Sequence, residues 1–279
     1  MSIDKNFPDV DGLVGLALRS RDDRSSDILN RRYGLKRSDT STLEDIGGDL
    51  GLTRERVRQI EAKAMEVARE ELRDSEEARL FVQLVHDYLN GVGNIRRDDF
   101  LANDLKSSWG ISGDKDTILR NRIKFLSKLL NGPTVVYETA DSHAYWHNNS
   151  SVEKTALKLI GKLHSHRKPD FDSFLYSAAN QFKISELVII NYLSISKNFM
   201  IGPYGDLGSG NWLHINPKTV RDRTYLVLIR AGQPMHFGDI AKEVNSIGKT
   251  SRSAATVHNE LIRDKRFVLV KRGVYTINA

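Results

Sequence analysis

The sequence predicts a mainly α protein with small β-hairpin wings: a helix-turn-helix followed by three tandem winged-helix-like domains. Three observations carry that prediction. Thr42 to Arg69, TLEDIGGDLGLTRERVRQIEAKAMEVAR, holds two apolar stripes at helical spacing, broken by a glycine. Beyond Arg73 a loose unit of about 60 to 80 residues recurs three times. Each unit opens on helical periodicity and closes on the alternation of a β-hairpin.

In the first element, Ile46 and Leu50 form one stripe, and Val57, Ile60, Ala64 and Val67 form the other. Gly51 suits a turn of positive φ, Gly47 allows close helix approach, and Leu52 can plug the corner. Thr53 is a good N-cap for the second helix. On that helix Arg54 and Arg58 lie one turn apart, as do Glu55 and Gln59, and both pairs face away from the apolar stripe. These side chains can read base edges in a major groove: arginine grips guanine O6 and N7, glutamine pairs with adenine, and glutamate accepts from cytosine N4. Thr53, Arg56 and Lys63 are expected to hold the DNA backbone, and Arg69 to do so or to stay solvated. A solvated helical hairpin is the competing reading of the same charges.

RRYGL at Arg31 to Leu35, followed by TLEDIGGDLGLTRERVRQIEAKA, resembles the fourth region of primary bacterial sigma factors. The resemblance covers Ile28 to Arg69. It implies a module that reads the −35 promoter element and docks on the β-flap of RNA polymerase, with Arg54, Glu55, Arg58 and Gln59 at the base-contacting positions. Nothing resembles the second region, which opens the −10 element, so a complete sigma factor is not expected.

In the three later units the first helices are expected at Phe81 to Leu89, Lys154 to Leu163 and Arg223 to Arg230. Second helices start near Asp98 to Phe100, Asp170 to Phe174 and His236 to Ile240. The third helices are Thr117 to Leu130, Ser185 to Ser194 and Ser253 to Arg263. Hairpins follow from Pro133, Phe199 and Arg266, with Gly205, Gly208 and Gly210 in the second wing. Domains are therefore expected over 1–73, 74–149, 150–216 and 217–279, although residues 73–79 could instead continue a helix. Arg223 to Ile277, with AGQPMHFGDIAKEV and TVHNELIRDKRFVLVKRGVYTI, is similar to the HARE-HTH winged-helix family. The Gly210, Asn211, Trp212 ending of the second unit looks closer to the branch containing the amino-terminal domain of the RNA polymerase delta subunit. That family implies modules tied to transcription, chromatin and restriction, proposed to bind DNA and to sense its modification.

Charge placement bears on which units meet DNA. Between Lys249 and Arg272 stand Lys249, Arg252, Arg263, Lys265, Arg266, Lys271 and Arg272, opposed only by Glu260 and Asp264. Arg252, Ser253, Thr256 and Asn259 are expected on the DNA-facing side of the third helix, and Arg266, Lys271 and Arg272 on the wing, all as backbone contacts. The first winged unit offers Arg120, Arg122, Lys124 and Lys128 in the same way. Glu186 to Tyr192 is apolar and nearly uncharged, so it is expected to be buried or packed on a partner.

The whole chain of 279 residues carries a formal charge of +6 with 42 basic and 36 acidic residues, a modest excess that suits a polyanionic partner. Its sequence pI is near 9.4. It has no cysteine, which excludes disulfides and thiolate metal sites. Leu187 to Ile190 and Tyr225 to Ile229 are too short to span a bilayer, and no basic-then-apolar leader is seen. His143 with His147 and His164 with His166 are expected to be surface histidines, not metal ligands. Asp22 with Asp23 and Asp98 with Asp99 are expected to be helix starts, not acid/base pairs. No catalytic, metal or cofactor site is expected. The reading is a cytoplasmic, nucleoid-associated, sequence-specific double-stranded DNA-binding protein, a transcription regulator and not an enzyme. The alternative is an adaptor that binds RNA polymerase or a defence or restriction effector through its sigma-like and winged-helix modules.

Overall fold

The computed structural model describes residues 7–19, 22–111, 116–248 and 250–278, so Lys249 lies outside the described residues. It is mainly helical, with small antiparallel sheets. The order is α1 (Val10–Arg19), α2 (Asp23–Tyr33), α3 (Leu43–Leu50), α4 (Arg54–Leu72), α5 (Glu76–Gly91), β1 (Ile95–Arg97), α6 (Asp98–Trp109), α7 (Asp116–Leu129), β2 (Thr134–Val136) and β3 (Tyr145–His147). Then come α8 (Ser150–Ser165), α9 (Phe171–Phe182), α10 (Glu186–Leu193), β4 (Phe199–Ile201) and β5 (Leu207–Ser209). The last elements are α11 (Val220–Ala231), β6 (Met235–His236), α12 (Phe237–Ser246), α13 (Ala254–Arg263), β7 (Phe267–Lys271) and β8 (Val274–Ile277). The chain forms two compact units: the described residues up to Leu157 with Ile190–Ile195, and Lys158–Ile189 with the described residues from Ser196 on.

In the first unit one core gathers side chains from α1, α2, α4, α5, α6, α7 and β3, among them Leu13, Leu29, Met65, Leu72, Phe81, Leu105, Phe125 and Trp146. The helix-turn-helix stretch and the assembly that follows it are thus welded by shared apolar burial. α4 ends at Leu72, and Ser75 starts α5 afresh, its hydroxyl accepting from the Ala78 N–H at 3.1 Å. No continuous helix crosses residues 73–75. α1 is not among the elements expected from the sequence, although Val10, Leu13, Val14 and Ala17 have the spacing of a buried helix face and are buried.

Polar ties reinforce this seam, and they engage the cations expected on a DNA-facing surface of α7: Arg122 and Lys124 are tied inside the first unit, and Arg120 and the exposed Lys128 also have internal partners. The Lys124 ammonium lies 2.7 Å from the buried carboxylate of Asp98, with Arg120 at 3.9 Å. Arg122 donates to the Leu35 carbonyl at 2.9 Å and pairs with Asp11. Lys128 donates to the Tyr33 hydroxyl at 2.9 Å, which donates in turn to Glu61 at 2.8 Å. Burial first and the Glu61 carboxylate second push the Tyr33 phenol well above its usual pKa. Because α7 is packed against the helix-turn-helix stretch, its cations are consumed by internal partners.

β3 pairs antiparallel with β1 on one side and β2 on the other, Trp146 lying opposite Arg96 and Val135. As the central strand it is covered throughout, and so His147 is buried, contrary to the expected surface histidine. His147 Nε2 stands 3.6 Å from Glu153, and the His143 N–H donates to Ile195 at 2.8 Å. Asp98 does begin a helix, and it is buried, accepting from Trp146 Nε1 at 2.8 Å. The end of the apolar stretch around residue 190 packs inside the chain: Asn191 donates to Val92 and Ile95 carbonyls at 2.9 and 2.6 Å, and Tyr192 to Gly93 at 2.7 Å.

In the second unit β4 and β5 form a two-stranded ladder, and a Cβ at Gly208 would lie 2.6 Å from the Trp212 ring. His166 is half-buried between Phe174 and Trp212, and His164 is exposed, within 3.0 Å of Asn198. The last assembly closes on its own core of Val227, Ile240, Val244, Val257, Leu261, Phe267 and Tyr275. Its sheet runs β6, β8, β7, with Gly273 at φ 72° in the tight turn between β7 and β8. No helix among the described residues is long and apolar enough to cross a membrane.

The shared core makes a direct prediction. Phe125→Ala, in α7, should destabilise the first unit by about 3–5 kcal/mol. Hydrogen exchange should show α4 amides losing protection together with those of α5 to α7. Protection retained in α4 alone would mean that the helix-turn-helix folds independently of its packing on α7.

Candidate nucleic-acid interface

Local chemistry sets the two helices that matter. Thr42 and Asp45 form a reciprocal capping box at the start of α3, each side chain accepting from the other's backbone N–H at 3.1 Å. Gly51 ends α3 at φ 65°, as a turn of this kind requires. At Gly47 a Cβ would lie 2.7 Å from the Leu52 carbonyl oxygen, so the approach of α3 to the α4 entry needs glycine there. Ile28, Ile46 and Val57 are buried together, with Leu43, Leu50, Leu52 and Ile60 packed around them. The Thr53 hydroxyl accepts from the Arg56 N–H at 3.2 Å and caps α4.

The opposite face of α4 is exposed and carries Arg54, Glu55, Arg58 and Gln59. Glu55 and Arg58 form a bidentate pair at 2.8 and 2.7 Å, and Arg56 donates to Gln59 at 3.2 Å. The Arg58 hydrogen bond holds the Glu55 carboxyl below its usual pKa, and Glu55 raises that of Arg58. Both side chains therefore stay ionised around neutrality. Arg56 and Lys63 are exposed on the same helix, and Arg69 instead donates to the Leu129 carbonyl at 3.0 Å.

A groove of about 570 Å³ runs between this helix and the start of α2, and it brings Arg24 alongside Arg56, Gln59 and Lys63. Arg24 is not legible as a site residue in the sequence, because the packing of α2 on α4 brings it there, at a helix start capped by Asp22, the Ser25 N–H donating to Asp22 at 2.7 Å. Its one sequence signal is a cation next to the expected helix start at Asp22 and Asp23.

In the last assembly, Ser253 caps α13 by accepting from the Thr256 N–H at 3.2 Å. The backbone of Arg252 is clamped on both sides by the Asn245 amide, at 2.8 and 2.9 Å. Arg252 and Asn259 are exposed, as are Lys271 and Arg272 at the hairpin tip. Arg266 is placed differently. It pairs with Asp264 at 2.8 Å and Asp222 at 3.5 Å and lies over the Tyr225 ring, which makes it a tie at the base of the hairpin.

With this geometry in view, residues 17–70 match the family Sigma-70, region 4. The match runs from the last turn of α1 to near the end of α4, and region 4 is a DNA-binding helix-turn-helix. The chain therefore carries a sigma region 4-like helix-turn-helix. No solved structure matches the chain.

Two adjacent glycines test the packing of this interface. Gly47→Ala should destabilise the protein by about 1–3 kcal/mol, because the new methyl meets backbone. Gly48, with nothing within 4 Å of an added Cβ, should gain about 0.5–1 kcal/mol on substitution by Ala. Paired thermal melts decide the matter. Equal shifts of the two variants would contradict the close approach at Gly47.

Proposed function

We propose that this protein is a non-enzymatic, cytoplasmic and nucleoid-associated regulator of transcription that recognises a sequence in double-stranded DNA. One observation carries the reading: Arg54, Glu55, Arg58 and Gln59 stand together on the single exposed face of a helix whose other faces are packed. Inserted into a major groove, Arg54 and Arg58 would grip guanines, Gln59 an adenine, and Glu55 a cytosine amino group. Thr53, Arg56 and Lys63, with Arg24 across the groove, would hold phosphates.

The three helix-and-hairpin assemblies are read as winged helices, in keeping with their shared order of helices and a closing hairpin, and the last as a HARE-HTH-like module. Its Arg252, Ser253, Thr256, Asn259, Lys271 and Arg272 would contact the backbone of a further DNA segment. Linked weak modules gain affinity through effective concentration. The assembly built on α5 to α7 acts in this reading as the scaffold of the reading helix. The modular division at 73, 149 and 216 belongs to the same proposal, with the first two modules sharing one core.

Fluorescence anisotropy on selected duplex DNA across a salt series tests the proposal. Log affinity should fall linearly with log salt. Arg58→Ala with Gln59→Ala should cost about 1–3 kcal/mol for each base no longer gripped and relax sequence preference. Lys271→Ala with Arg272→Ala should weaken binding evenly across sequences and lower the salt slope by about one for each phosphate no longer neutralised. Affinity flat in salt, or unchanged preference in the Arg58/Gln59 variant, would overturn it. The region 4 match favours one second reading, an adaptor docked on RNA polymerase. That reading predicts core polymerase capture that survives the Arg58 and Gln59 substitutions.

A further inference from the structure

The hairpin that ends the last assembly carries something its cations do not explain. Val268, Leu269 and Val270, consecutive on β7, are 40, 57 and 54% exposed, and Ile262 at the end of α13 is 63% exposed. In the strand order β6, β8, β7 no described strand pairs with the outer side of β7. Natural sheets usually guard such an edge with charges or proline along its length, because unpaired N–H and C=O groups template another strand. Here the guards stand towards the ends: Arg263, Lys265, Lys271 and Arg272 are exposed around the aliphatic stretch, and the ladder with β8 is irregular only between Leu269 and Lys271, which leaves Phe267 to Leu269 as regular edge.

The nearby acids do not offset them. Glu260 and Asp264 are engaged by Arg221, at 2.8 and 3.3 Å, and Asp264 also by Arg266. A second copy of this chain is a poor occupant for the edge. The one antiparallel register that keeps Val268, Leu269 and Val270 wholly opposite their own copies, centred on Leu269, sets Arg266 against Arg272 and brings Lys271 of each copy beside Lys265 and Arg266 of the other. Like charges directly opposed destabilise a ladder. Duplex DNA leaves the aliphatic side chains without apolar partners, although the tip at Lys271 and Arg272 can still reach phosphate.

We propose that the outer edge of β7 is a docking site for an extended segment of another protein, with apolar residues at alternate positions and carboxylates at both ends, added as a fourth strand to the sheet. Backbone hydrogen bonds to β7 supply the affinity, and the flanking cations select acidic ends and set register. The site does not involve the reading helix on α4, and it shares only Lys271 and Arg272 with the DNA contacts proposed above, so a DNA backbone and the acidic segment compete for the hairpin tip.

The test uses the full chain and a capped peptide of alternating Val and Thr with Glu at both ends. NMR titration should show saturable shifts at the Phe267–Lys271 amides. N-methylation of the peptide amides that face β7 should weaken binding about tenfold or more, and replacing the terminal Glu residues by Lys should weaken it further. Val270→Lys, which puts a guarding charge on the edge, should abolish binding. The N-methylated peptide keeps the test decisive if that variant misfolds. The proposal fails if the peptide does not bind, if shifts map elsewhere, if N-methylation changes nothing, or if sedimentation shows the chain dimerising through β7.

Discussion

The proposed reading of DNA sequence depends on α4 being buried along two stretches at once. Near its start, Val57 joins Ile28 and Ile46 in the small helix-turn-helix cluster. Further along, Ala64, Met65, Ala68 and Leu72 enter the large core with residues of α1, α5 and α7. A surface helix fixed at one end can rock, whereas one packed at both ends presents its remaining face in one orientation. Burying Val57, Met65 and Leu72 stabilises by roughly 1.5–3 kcal/mol apiece, and the two alanine methyls add less. The same arrangement explains the fate of the α7 cations. A charge beside a packed seam must be paired, and Arg122, Lys124 and Lys128 are paired with groups across or beside it.

The exposed face is also prepared for its task at low cost. Glu55 with Arg58 and Arg56 with Gln59 hold each other before any ligand arrives. Exposed pairs of this kind contribute only about 0–1 kcal/mol, whereas a bidentate base contact discriminates by about 1–3 kcal/mol. Breaking such a pair therefore costs less than a correct base contact discriminates, and the internal pairs restrict the rotamers from which the exchange starts.

Much of this is legible in the sequence, and what is not has physical causes. The glycine at positive φ, the Thr53 cap, the close approach at Gly47 and the stripe through Val57 follow from local rules that a sequence displays. The final hairpin, with its turn at Gly273, is likewise visible as alternation. β1 and β6 are invisible there because three and two residues are too few to alternate recognisably. The destiny of the α7 arginines and lysines cannot be read, since a cation spaced for a DNA-facing helix looks the same when its partner is a carbonyl at Leu35 or a carboxylate at Asp98. Nor does alternation in Tyr145 to His147 reveal that β3 is central and His147 buried. Residues 17–70 match the family Sigma-70, region 4, as the motif in that stretch leads one to expect.

The central claim is that the exposed face of α4, fixed by its packing, reads DNA sequence. The most direct measurement is selection of bound duplexes from a random pool by the intact chain, repeated with Arg58→Ala and Gln59→Ala. The intact chain should enrich a motif that loses information at adjacent positions, and only there, in the variant. No enriched motif, or the same motif from both proteins, would contradict it.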